Sequence, residues 1–289
     1  MTLYVVGTPI GNLQDMTPHA VETLKSVSLI CAEDTRVTAK LTQHFGIDTP
    51  MTSCHRHNEQ GKADQIVRRM LDEQIDVAVV TDAGTPAISD PGTYLVKAAA
   101  EAGIEVVAVA GPSAMACALS VSGIDVTEFT FLGFMPREKK PLREALLDAA
   151  DRTQCGIVHE SPYRVLDFMR VLCETLPEAY VSVSCDLTKL HELTLRGSVA
   201  DVLSQMESNE KTEKGEYCIV IDFRAVPKRE KLSASAVCLE ARLLDKLLQG
   251  LDMRDAVRAV VDEGEKKNAV YAARLRLQEM LCDEADEGE

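Results

Sequence analysis

Thr81-Asp82-Ala83-Gly84-Thr85-Pro86-Ala87-Ile88-Ser89-Asp90-Pro91-Gly92 follows a run of buried-strand character, Asp76-Val77-Ala78-Val79-Val80, and precedes a helical pattern that opens at Thr93. Two glycines, two prolines and three aspartate or serine side chains at a strand-to-helix junction fix the turns in advance and let the backbone approach a ligand. Strand ends of open α/β sheets are where ligands bind. Two sister loops stand in equivalent places. Leu3-Tyr4-Val5-Val6 runs into Gly7-Thr8-Pro9-Ile10-Gly11-Asn12-Leu13, and Glu105-Val106-Val107-Ala108-Val109 runs into Ala110-Gly111-Pro112-Ser113-Ala114. Neither carries the G-x-G-x-x-G dinucleotide fingerprint, and the chain holds no G-x-x-x-x-G-K-[ST] phosphate loop. A dehydrogenase and an NTPase therefore lose their support. The pattern implies a ligand held by several separate backbone loops.

Around these loops the chain alternates strand-like and helix-like segments, which makes it an α/β protein. Thr17-Pro18 supplies an N-cap and a first-turn proline for a helix to Val27. Ser28 to Ala32 is a strand that delivers Glu33-Asp34-Thr35-Arg36 at its end, and Glu59 to Leu71 is a helix. The spacing predicts an N-terminal α/β domain over 1–122 and a second over 123–226. Strands of the second are expected at Phe129–Leu132, Cys155–His159, Tyr180–Ser184 and Tyr217–Phe223, with helices at Leu142–Ala150, Tyr163–Thr175 and Val199–Met206. A linker at Val226-Pro227-Lys228-Arg229-Glu230-Lys231 leads to a helical module over 232–282 and an acidic tail over 283–289. In that module Leu239, Leu243, Leu244, Leu247 and Leu248 form one apolar stripe, Asp252 and Asn268 cap the next two helices, and Val270, Tyr271 and Leu275 are expected to face inward.

The order of short motifs resembles the tetrapyrrole methylase superfamily, on its ribosomal RNA methyltransferase branch. The match is carried by Gly7 to Leu13, Glu33-Asp34-Thr35-Arg36, Asp82 to Pro91 and Gly111-Pro112-Ser113-Ala114. It continues through Leu132-Gly133-Phe134-Met135-Pro136, Glu160-Ser161-Pro162-Tyr163-Arg164, Leu187-Thr188-Lys189 and Lys214-Gly215-Glu216. The resemblance implies two α/β domains of the tetrapyrrole methylase type with a cofactor crevice between them, plus a C-terminal module like a helix-turn-helix. It implies an S-adenosylmethionine-dependent enzyme that methylates the ribose 2′-hydroxyl of a cytidine in the decoding region of 16S rRNA, within the small ribosomal subunit, and a homodimer is expected. By the same resemblance Pro9, Asp82, Gly84, Thr85, Pro86, Ile88, Ser113, Ala114, Glu160 and Gly215 line the cofactor crevice. Corrin-directed relatives carry an acidic residue where Thr85 stands, which favours the ribosomal branch.

A ribose hydroxyl is a poor nucleophile at neutral pH, so a base or a positive charge beside it helps. Asp34 is expected to accept the hydroxyl proton and Arg36 to hold a phosphate, although the same pair also reads as an internal ion pair. Glu33, Arg164, Lys266 and Lys267 are the expected substrate contacts, with Arg164 alternatively a partner of Glu160. Where the family reads Arg-Glu-Leu-Thr-Lys, this chain has Cys185-Asp186-Leu187-Thr188-Lys189, which removes a guanidinium from that position.

Composition sets further bounds. The net charge of −15 requires any RNA contact to fall on local basic patches such as Arg137 to Arg143 or Lys266-Lys267. Nine cysteines lie scattered without a C-x-x-C pair and read as reduced core residues of a cytoplasmic protein. His55-Arg56-His57 has no carboxylate at ligand spacing, so no metal is expected. No apolar run approaches the roughly 20 residues of a membrane span. Two other functions fit parts of the pattern: a small-molecule methyltransferase of the tetrapyrrole type, and a non-catalytic, cofactor-sensing nucleic-acid binder. The helical tail reads equally as a recognition module or a dimer-stabilising cap.

Overall fold

Parallel strands covered on both faces must be apolar at every position, not at alternate ones, and the strands Leu29–Ala32 and Val77–Val80 obey this rule. The computed structural model describes residues 1–56, 58–125, 127–229 and 238–283, without the side chains of 279 and 281–283. His57, the 230–231 end of the expected linker and residues 284–289 of the expected acidic tail lie outside the described residues. The first sheet is built from β1 (Thr2–Val6), β2 (Leu29–Ala32), β3 (Met51–Ser53), β4 (Val77–Val80) and β5 (Glu105–Val109), all parallel, in the order β3-β2-β4-β1-β5. All four residues of β4 are buried. Val77 and Val79 enter one core with α3 (Glu59–Glu73) and α4 (Thr93–Glu101), and Ala78 and Val80 enter the opposite core with α1 (Pro18–Ser26) and α2 (Thr35–Phe45).

The second sheet contains β6 (Thr130–Phe134), β7 (Cys155–Glu160), β8 (Tyr180–Cys185), β9 (Leu193–Ser198) and β10 (Tyr217–Asp222), in the order β6-β7-β10-β8-β9. Only β6 and β7 pair parallel; the rest of the ladder is antiparallel. One face buries Val158, Val181, Ile219 and Ile221 against α6 (Lys139–Arg152), α7 (Val165–Thr175) and α8 (Val199–Glu207). The other face receives α5 (Ala114–Ser122), whose Ala118 packs with Ile157, Cys218 and Val220. Helix α5 therefore follows the last strand of the first sheet in sequence but covers the second sheet, and Arg196 Nε of β9 donates to the Val121 carbonyl (2.8 Å).

Three elements escape the sequence pattern: α2, β3 and β9. In α2 the fully buried side chains are Thr38 and Thr42, with Leu41 and Phe45 packed beside them. Strand β9 is a sheet edge with exposed and half-buried residues.

The chain divides into two compact units, Met1–Pro227 and Lys228–Glu289. The second holds α9 (Leu239–Leu248), α10 (Met253–Asp262) and α11 (Lys267–Asp283) around Leu243, Val257, Val260, Val270, Ala273 and Leu277. Asp252 caps α10 by accepting from Asp255 N (2.8 Å). Two expectations need correcting. Tyr271 and Leu275 stay exposed, because the inward face of α11 runs through Val270, Ala273 and Leu277. Asn268 lies inside α11, one residue past its start.

Candidate active site

The loop after β4 is held in shape by its own backbone. Gly84, Ala87, Ser89 and Gly92 all adopt positive φ, at 84, 65, 69 and 128°. Thr8 N donates to Gly84 O (2.9 Å), Gly84 N returns the bond to Thr8 O (3.1 Å), and Thr8 Oγ1 donates to Thr81 O (3.0 Å). The loop after β1 is thus stitched to the loop after β4. Glu59, buried at the start of α3, accepts from Gly92 N (2.8 Å) and Tyr94 N (2.7 Å) and so caps α4. Gly7 and Gly111 serve a different end from ligand approach: the two loops cross there backbone to backbone.

These loops form one side of a cavity of about 420 Å³. Ile10, Gly84, Thr85, Ile88, Ser89 and Asp90 come from the first sheet's loops, and Ser113, Ala114 and Met115 from the start of α5. The far side is supplied by Phe131 and Phe134 of β6, His159 to Pro162 at the end of β7, Leu187, and Glu216 to Cys218 entering β10. Of the ten residues expected at the cofactor crevice, six line this cavity: Gly84, Thr85, Ile88, Ser113, Ala114 and Glu160. Pro9 and Asp82 line a second cavity next to it. Pro86 packs under Gly92 instead. Gly215 has a packing role, since a Cβ there would stand 2.6 Å from the Asp186 carboxylate and 2.7 Å from Cys185 Sγ. Asp90 and Glu216, which stand inside quoted motifs but were not expected at the crevice, also line it, as does His159.

The cavity is mostly apolar with a few charged groups. Burial, helped by the nearby Glu33 and Asp82 and opposed by Arg56, pushes the Asp90 carboxyl up to about 6. Burial also raises Glu160, although Ser161 N donates to it (2.8 Å) and Arg164 pairs with it (3.1 Å). His159 is lowered by burial and so is neutral near pH 7; its Nε2 makes no hydrogen bond, and its ring meets Phe131 edge-on at 5.0 Å.

The expected catalytic pair is joined to itself. Arg36 Nε donates to Asp34 Oδ1 (3.0 Å) and Arg36 Nη2 to Oδ2 (2.6 Å), while Asp34 Oδ1 also accepts from Arg36 N (2.8 Å) as the N-cap of α2. These bonds hold the Asp34 carboxyl down to about 2. A carboxylate that acidic is a poor proton acceptor at neutral pH, so the geometry favours the ion-pair and capping reading over the base. Asp34 N donates to Asp82 Oδ1 (3.1 Å) and Asp82 N to Glu33 Oε2 (3.4 Å); burial raises both of these carboxyls. Arg164 is also engaged within the chain, binding Glu160 and donating to the Met135 and Pro136 carbonyls at 3.2 and 3.3 Å. Those bonds assign it to fixing the loop after β6, in place of a free phosphate ligand.

Lys266 and Lys267 lie at the start of α11, with Lys267 Nζ 5.9 Å from the centre of the Tyr271 ring. Cys185 lines neither cavity, whereas Lys189 lines the second and binds Asp186 (2.7 Å) and Glu216 (2.8 Å). Among the described residues no three His, Cys, Asp or Glu side chains are grouped to hold a metal ion. Among them also, no helix is long and apolar enough to cross a membrane.

Comparison with known proteins bears on this architecture. Residues 2–203 match the family model described as Tetrapyrrole (Corrin/Porphyrin) Methylases. A ribosomal RNA small subunit methyltransferase I from Synechocystis is 40% identical over 278 residues, covering 96% of this chain and 98% of the relative. The protein of that name from Escherichia coli O157:H7 is 40% identical over 280 residues, with 96% and 95% covered. The crystal structure of uroporphyrin-III-C-methyltransferase from Thermus thermophilus superposes with a TM-score of 0.52 at 16% identity, covering 78% of this chain and 99% of that one; this likeness bears on the fold alone. The two sheets, the loops stitched through Thr8 and Gly84 and the near full-length identity lead to one conclusion: the chain belongs to the tetrapyrrole methylase family and, within it, to the group of ribosomal RNA small subunit methyltransferase I.

Proposed function

We propose that this protein methylates the ribose 2′-hydroxyl of a cytidine in the decoding region of 16S rRNA, with S-adenosylmethionine as methyl donor. The observation that carries the reading is the 420 Å³ cavity at the strand ends, apolar in the main and edged by Asp90, Glu160 and Glu216. Its residues fit the donor. Ile10, Ile88, Met115 and Phe131 offer apolar surface for an adenosine, and the carboxylates complement an ammonium and a sulfonium. When bound, the cofactor supplies a methyl group already activated on sulfur. The chain has then to hold the ribose oxygen in place, keep water out and let one proton leave, and positioning provides most of the rate.

The relatives' shared name supports small-subunit RNA as the substrate. The proposal includes a homodimer working in the cytoplasm. Leu190 and Tyr163 are exposed apolar side chains, at 93% and 84%, available to a second copy.

The test is incubation of the protein with radiolabelled S-adenosylmethionine and small subunits from cells lacking the enzyme, followed by digestion to nucleosides. Label in 2′-O-methylcytidine is the expected result. Label on a base, or none in RNA from a protein that binds the cofactor, would overturn the reading.

A further inference from the structure

Next to the cofactor cavity lies a second one of about 330 Å³, and the two share Ile10, Ala83 and Glu216 as a common wall. Its opposite wall is the exposed face of α2. Val37, Lys40 and Leu41 stand there at i, i+3 and i+4, and Leu13 contributes from the turn Leu13–Asp15. Val37 and Leu13 are 40% and 41% exposed, apolar side chains that folding leaves at the rim of a hollow. The charged groups are arranged unevenly. Lys189 is paired with Asp186 and Glu216 and Asp82 lines the cavity as well, whereas Lys40 makes no ion pair among the described residues. Thr38, on the same wall, is buried with no hydrogen-bond partner for its hydroxyl.

We propose that this second cavity receives the target nucleotide, turned out of the RNA stack, with its base between Leu13 and the Val37–Leu41 face, its ribose at the common wall and its phosphate at Lys40. The proposal rests on the methyltransferase reading above and says where the substrate of that reaction sits. A ribose inside a stacked strand cannot reach a donor held in the first cavity, so the nucleotide has to leave its neighbours. Single-stranded RNA is recognised by just such splayed bases. The volume is at the low end for a small-ligand site, where one nucleotide belongs. Aliphatic side chains on two sides suit the faces of a base, and one unpaired ammonium suits one phosphate. It also reconciles a chain of net charge −15 with an RNA substrate. Much of the grip is local and apolar, and the one lysine of the cavity that makes no ion pair among the described residues, Lys40, supplies the charge.

Val37→Trp and Leu13→Trp fill the cavity from two different elements, and Lys40→Glu reverses its free charge. Cofactor affinity by calorimetry and steady-state methylation of small subunits are measured for each. Both Trp variants should bind S-adenosylmethionine within about twofold of wild type and lose methyl transfer by roughly 100-fold, the scale on which misplacement of a reacting group acts. Lys40→Glu should raise KM for subunits by roughly tenfold with kcat kept, and should flatten its salt dependence. Wild-type turnover in both Trp variants would overturn the placement and leave the methyltransferase reading standing. Loss of cofactor affinity in both would overturn it as well, because the cavity would then belong to the cofactor site. If the wild-type protein binds cofactor but methylates no subunit RNA, the functional reading fails first and takes the placement with it.

Discussion

Gly7 and Gly111 cross so closely that a methyl group on either would stand 2.8 Å from the backbone of the other. Neither neighbour is the movable end of a side chain, so the loops after β1 and β5 would have to part. Gly111→Ala should therefore lower the free energy of unfolding by about 1–3 kcal/mol, the usual cost of overpacking, as read from denaturant titration. An unchanged midpoint would show that the crossing is loose in solution.

Gly84 is constrained in another way. A Cβ there has room, with Ile10 Cγ2 at 3.6 Å as its nearest neighbour, but φ is +84°. A β-branched residue is poorly tolerated at positive φ. Gly84→Val should weaken S-adenosylmethionine binding by more than about tenfold, with Gly84→Ala intermediate, by the strain placed on the loop. Calorimetry that finds wild-type affinity in a folded Val variant would remove this loop from the site.

The Asp90 carboxyl titrates at about 6, above its unfolded value near 4. The contribution to stability of a group raised in this way is fully present below its unfolded pKa and is lost as pH rises through 6. Asp90→Asn should gain on wild type in thermal stability between pH 5 and pH 7. Binding of a cationic ligand runs the other way, because it needs the ionised form. Cofactor affinity should fall as pH drops from 7.5 to 5, and Asp90→Asn should flatten that profile. A profile of the same slope in the variant would place the titrating group elsewhere.

Asp34→Asn separates two roles. Asparagine caps a helix as well as aspartate does, so α2 should stay formed while the grip on Arg36 weakens. Turnover on saturating subunits should fall by less than about tenfold, against roughly 100-fold or more for loss of a general base. A drop of the larger size with cofactor affinity intact would restore Asp34 as the base despite its bonds to Arg36.

The C-terminal unit gives a last test. A chain ending at Pro227 retains both sheets and every residue lining the two cavities. It should bind S-adenosylmethionine with wild-type affinity and methylate subunits poorly. Full activity would show that α9–α11 take no part in substrate recognition, and failure to fold would favour the cap reading of the tail.

The near side of the site was legible because its signals are local. Glycine, proline and aspartate at three strand ends announce turns whatever the rest of the chain does. The far side was not. Phe131, His159 and Cys218 line the cavity from strands far apart in sequence, and along the chain each looks like an ordinary core residue. The positive φ of Ala87 and Ser89 has no sequence mark either, since neither is a residue that favours it. Helix α2 begins inside the charged Glu33-Asp34-Thr35-Arg36 cluster, which reads in the sequence as a strand end. In α11, weight given to Tyr271 and Leu275 chose the wrong face, because the packed face uses the small Ala273. The charged residues failed in a common way. Sequence places Asp34, Arg36, Glu160 and Arg164 near the site and leaves pairing and ligand contact open for each, and the coordinates join Arg36 to Asp34 and Arg164 to Glu160.

The two-way backbone bond between Thr8 and Gly84 has a thermodynamic consequence. It joins the loop that carries Ile10 to the loop that carries Ala83, and those two residues belong to both cavities. Any ligand that firms up this wall lowers the ordering cost left to the other, which makes the two affinities mutually dependent. Linkage demands that the dependence be symmetrical: the factor by which S-adenosylmethionine tightens the grip on RNA equals the factor by which RNA tightens the grip on S-adenosylmethionine. On the placement proposed above, the apparent affinity for each ligand then depends on the concentration of the other.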